Sequence, residues 1–139
     1  PWSESKLMAV ANAAGTLRSP QRFSLQAWAG DFLGGMQRHF QTQGTEIAHL
    51  KVHLRAGDGE VKGSLTSFSR GISWTEQRDA AVSEAQLIVN ARVQTDPDTL
   101  RGVVESVAAR LHDAGGVAVD FHHVECFSPS PPQPTFRLA

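Results

Sequence analysis

The sequence predicts an α+β domain: a four-stranded, mostly antiparallel sheet with two amphipathic helices on one face, a ferredoxin-like or related split-βαβ sandwich. Three observations carry the prediction. Two stretches repeat apolar residues at three- and four-residue spacing, four others alternate apolar and polar residues, and glycines, prolines or capping residues stand at the boundaries.

Residues 4–16 are alanine-rich and read as a short helix inside an N-terminal lead-in of residues 1–22, broken at Ser19-Pro20. In residues 24–42, Leu25, Trp28, Ala29, Phe32, Leu33, Met36 and Phe40 form one apolar stripe, with Ser24 as N-cap. Gly34-Gly35 inside this helix costs about 1 kcal/mol per glycine relative to alanine. From 46 to 55 the period becomes two. Ala48, Leu50, Val52 and Leu54 face one way; Ile47, His49, Lys51, His53 and Arg55 face the other. Gly57-Asp58-Gly59 reads as a tight hairpin turn, and Val61, Gly63 and Leu65 continue on the returning strand. Ile72 and Trp74 suggest a short strand, and residues 75–84 a loop or weak helical turn.

Residues 86–93 form the third strand. Asp96-Pro97-Asp98 then opens a second helix with a cap, a proline at its first position and an acid at the positive end of the dipole. Leu100, Val103, Val104, Val107 and Leu111 are its apolar stripe, and Gly115-Gly116 ends it. Residues 117–127 make the last strand. The sequence thus reads as one domain over 1–127, followed by a proline-rich extended tail over 128–139.

Composition narrows the function. The chain has 139 residues, 40% apolar and 19% charged, with a net charge of −1. That composition suits one globular domain and argues against a chain built mainly to grip nucleic acid. The single cysteine, Cys126, rules out an internal disulfide and points to a reducing, cytoplasmic compartment. No apolar run is long enough to span a bilayer. The glycines from Gly57 to Gly63 lack the adjacent Gly-Lys-Ser/Thr of a P-loop and lie between strands, so they do not cradle a nucleotide. No catalytic constellation stands out.

The candidate site is the polar sheet face. Regular pleating puts His49, Lys51, His53 and Arg55, then Lys62, Ser64 and Thr66, then Asn90 and Arg92 on it, joined by Asp120, His122 and Cys126. A solvated face is the ordinary reading of such a sheet. The sharper reading is a transition-metal or anion site. His49 or His53 would act with His122 or Cys126 from a neighbouring strand, holding zinc, cobalt or iron. His49 and His53 alone lie about 13 Å apart along a strand and cannot share an ion.

Two stretches together carry a family resemblance. Glu46-Ile47-Ala48-His49-Leu50-Lys51 enters a strand after a helix. Leu87-Ile88-Val89-Asn90-Ala91-Arg92-Val93 precedes the Asp96-Pro97 helix, and the chain closes on Glu125-Cys126-Phe127 and Pro132-Gln133-Pro134-Thr135-Phe136-Arg137. Over residues 24–137 this resembles the C-terminal region of CobW-like GTP-dependent metal chaperones of the nitrile hydratase activator type. The resemblance implies an accessory domain, not a GTPase, that contacts a client metalloprotein or its own GTPase domain. The residues themselves give no cofactor beyond a possible transition metal, and no nucleic-acid or membrane partner. Phe136 stands where the family motif has histidine. The alternative is a stand-alone protein that binds a metal or small anion on the polar face.

Overall fold

The computed structural model describes residues 7–66 and 71–129. Among these residues the sheet has six strands, not the expected four. They are β1 (Ala9–Ser24), β2 (Ile47–Ala56), β3 (Gly59–Leu65), β4 (Ser73–Arg78), β5 (Ala81–Val93) and β6 (Ala118–Phe127), in the order β4-β3-β2-β5-β1-β6 with every pairing antiparallel. Helices α1 (Leu25–Thr42) and α2 (Pro97–Gly115) pack on one face. The two α-containing crossovers interlock. β1-α1-β2 straddles β5, and β5-α2-β6 straddles β1.

β1 is unforeseen, and β4, suggested as a short strand by Ile72 and Trp74, joins the sheet and extends further than that pair. Residues 9–24, expected up to 16 as the end of a short helix broken at Ser19-Pro20, form a single long strand. Alanine favours helix, but pairing with β5 on one side and β6 on the other overrides that preference. Ala9, Ala11 and Ala13 face the helices at 0–3% exposure, as a centrally placed strand requires. Ser19 and Pro20 are accommodated where the β1–β5 register shifts between Arg18 and Phe23. In residues 75–84, expected as loop or helical turn, β4 instead runs to Arg78 and β5 begins at Ala81.

The helices form as their sequences dictate. Ser24 accepts a hydrogen bond from the Ala27 N–H, and Asp79, from the β4–β5 turn, accepts from the Ser24 hydroxyl and the Gln26 N–H. Burial opposes ionisation of Asp79, but these hydrogen bonds outweigh it and hold its carboxyl below the usual range. Asp96 caps α2 through the Thr99 N–H, and Gly116, at φ 79°, closes it. Gly35 has a packing reason. A Cβ there would stand 2.9 Å from Val107 Cγ1, so the glycine lets α1 and α2 approach.

One core fills the space between helices and sheet. α1 packs on β2 and β3, and α2 packs on β1 and β6. Phe32, Leu33, Met36 and Phe40 of α1 and Leu100, Val103, Val104 and Val107 of α2 form one cluster with Leu50, Val52 and Leu54 of β2, Val61 and Leu65 of β3, and Leu87 and Val89 of β5. Large side chains of this kind each contribute about 1.5–3 kcal/mol by burial. No helix among the described residues is long and apolar enough to cross a membrane.

Two bulges alter which residues face the core. One lies between Ile47 and His49 in the β2–β5 pairing, and it turns Ile47 inward to 7% exposure, against the expected polar-face position. The other lies in β6, where Ala14 pairs with His123 while Gly15 pairs with Phe121, leaving His122 as the extra residue. The proline-rich tail expected from 128 onward lies, from residue 130, outside the described residues.

Candidate functional site

The register fixes the layout of the sheet face opposite the helices. β2 presents His49, Lys51, His53 and Arg55, and β3 presents Glu60, Lys62 and Ser64. β4 adds Glu76 and Arg78 at one edge. β5 presents Glu84, Gln86, Ile88, Asn90 and Arg92, beside Val10, Asn12, Ala14, Thr16 and Arg18 of β1. β6 closes the other edge with Asp120, His123, Glu125 and Phe127.

Among the described residues, the middle of this face carries no charge. Asn12, Ala14 and Thr16 of β1 lie beside Gln86, Ile88 and Asn90 of β5. Asn90 Nδ2 donates to Asn12 Oδ1 at 2.7 Å. Thr16 Oγ1, on a side chain almost fully buried, lies 3.3 Å from Gln86 Oε1 and 2.6 Å from His122 Nε2. These contacts satisfy the polar groups laterally and hold them in place. Ile88 is 45% exposed at the centre, an unusual position for a large aliphatic side chain.

Charge is arranged around that centre. At the β3–β4 corner, Glu60 lies 2.8 Å from both His53 Nε2 and Arg78, and Arg78 also reaches Glu76 at 2.8 Å. The hydrogen bond from His53 is the main reason the Glu60 carboxyl ionises below its ordinary range. On the opposite side Arg18 bridges Glu84 and Asp120, at 3.1 and 3.5 Å, and His123 lies 3.4 Å from Glu125. Lys51, Arg55, Lys62 and Arg92 form no ion pair among the described residues. A shallow depression of about 520 Å³ between β2 and β5 is lined by His53, Arg55, Gln86 and Ile88, among others.

The expected metal ligands do not converge. His49 and His53 share β2, but His122 belongs to β6, with β5 and β1 between. Three inter-strand spacings separate them, about 14 Å. Cys126 is on the other side of the sheet. The β6 bulge reverses the parity beyond it, so Cys126 pairs with core-facing Ala11 and packs against the core from the helix side. Burial there pushes its thiol up. His122 stays on the polar face, bonded to Thr16. Among the described residues, no three His, Cys, Asp or Glu side chains are grouped to hold a metal ion. What pattern reading missed is the uncharged centre, because β1 was not recognised as a strand.

His49 is held in surroundings that oppose its protonation. Partial burial, then Lys51 and Arg92, hold its pKa below the ordinary 6.5, so the folded state keeps the ring neutral. Below pH 6.5 the unfolded chain takes up a proton that the folded chain resists, and stability falls as pH drops through that value. His49→Gln is expected to flatten the dependence of the urea midpoint between about pH 7 and pH 5. An unchanged slope would show that His49 is not the group responsible.

No protein-family model, no curated protein and no solved structure matches this chain.

Proposed function

We propose that the domain is a non-catalytic accessory module that docks a protein through the open face of its sheet, the partner being a CobW-type GTPase domain or its client metalloprotein. The observation that supports this is the layout of that face, where among the described residues five uncharged side chains surround exposed Ile88 and charges stand at the margins. Protein interfaces have the same anatomy, a charge-depleted core within a polar rim. The face spans about 24 Å between its outer strands, enough for a partner footprint of standard size. The motif resemblance supplies the class of partner, and the hairpin turn at Gly57-Asp58 supplies no phosphate-binding loop that would suggest nucleotide chemistry.

The test is isothermal titration of the domain with a CobW-type GTPase domain and, separately, with metal-free nitrile hydratase. Binding in the micromolar range or tighter to one of them is expected, weakened at least about tenfold by Ile88→Arg with an unchanged melting temperature. No heat with either protein would refute the partner class. Equal binding by Ile88→Arg would refute the face.

A further inference from the structure

Three of the unpaired cations lie on one oblique line. Arg92 is opposite His49 on β2, and Lys51 is two residues further along β2. Lys51 is opposite Ser64 on β3, and Lys62 is two residues further along β3. Arg92, Lys51 and Lys62 are therefore successive diagonal neighbours across β5, β2 and β3, with steps of about 7–8 Å. Arg55, diagonal to Lys62, flanks the line. The acids nearest to it, Glu60 and Glu76, are already engaged by His53 and Arg78. The excess positive charge of this half of the face is thus left for a ligand.

We infer that the partner seated here presents an acidic extended segment, with carboxylates at alternate positions, laid obliquely over β5, β2 and β3. The inference rests on the reading of the open face as a docking surface and adds the chemistry of what docks. Alternate side chains on one side of an extended chain repeat at about 6.7 Å, within the reach of lysine and arginine placed at the spacing found here. A carboxylate partner fits better than nucleic acid. Single-stranded binding uses aromatic platforms as well as charge. The line here is flanked by His49 and His53, and Phe127 stands at the far corner of the face, beside Val10. The net charge of −1 is also wrong for a phosphate-backbone binder.

Fluorescence anisotropy tests this with the domain and a labelled peptide of alternating glutamate and serine about twelve residues long, of which about six extended residues cover the roughly 15 Å between Arg92 and Lys62. The same peptide with lysine for glutamate, and an oligouridylate of similar length, are the comparison probes. Saturable binding of the glutamate peptide is expected, weakened at least about tenfold between about 50 and 300 mM salt. The K51Q/K62Q/R92Q variant should lose at least about tenfold in affinity, while Arg110→Gln, on the exposed side of α2, should not. Absence of saturable binding, equal binding by the triple variant, or tighter binding of the oligouridylate would overturn the inference. Partner docking that depends on Ile88 but not on the three cations would overturn it while leaving the docking face intact.

Discussion

Val104→Asp is expected to leave the chain largely unfolded at 25 °C. Val104 is 1% exposed on the face of α2 that packs on the sheet. The substitution removes an aliphatic contact of about 1.5–3 kcal/mol. It also places a carboxylate where the neighbours are apolar side chains, among them Leu100, Val103 and Val107. An unpaired buried charge adds several kcal/mol more, which together consumes most of the 5–15 kcal/mol that holds a typical domain folded. Circular dichroism and a urea titration would check it. A cooperative transition near the wild-type midpoint would show that α2 packs by another face.

Gly15→Val should be nearly as damaging, for a reason no composition reveals. A Cβ on Gly15 would stand 2.7 Å from the carbonyl oxygen of Asp120 and 3.2 Å from Phe121 Cα, on the neighbouring strand. Those are backbone atoms and cannot rotate away. Gly15 is also where β1 meets the β6 bulge, so relief requires β6 to separate from β1. We expect a loss of about 3 kcal/mol or more, with a smaller loss for Gly15→Ala. Hydrogen exchange should show the added opening in residues 118–127. Protection unchanged there, or a destabilisation under about 0.5 kcal/mol, would mean the strands are not so close.

Elements that announce themselves by local chemistry were legible in the sequence. Ser24 and the Asp96-Pro97 pair mark helix starts because orphan N–H groups need those acceptors, and Gly57-Asp58 marks a turn through the positive φ of Gly57, 56°. β1 was not legible. Its alanines satisfy a helical propensity that only non-local pairing overrides. β4 was legible only at Ile72 and Trp74, because its side chains are all at least partly exposed and its extension to Arg78 has no inward run to mark it.

Bulges carry no residue signature, and each one reverses a face. That is why Ile47 and Cys126 lie opposite to their expected sides. Strand order decides the candidate site. The histidines of β2 and β6 share a face, as pleating implies, but two whole strands separate them. The cations of β2, β3 and β5 could be read from periodicity. Their lack of carboxylate partners among the described residues could not, because it depends on Glu60 meeting His53 and Arg78 through the register and the β4 strand.

The central claim, docking through the open sheet face, is tested most directly by mapping amide chemical shifts of the labelled domain as a CobW-type GTPase domain or metal-free nitrile hydratase is added. Perturbations are expected to centre on Ile88 and extend to Asn12, Lys51 and Arg92, with α1 and α2 unaffected. Perturbations confined to the groove of about 330 Å³ between the helices, lined by Arg38, His39 and Arg110 among others, would contradict it.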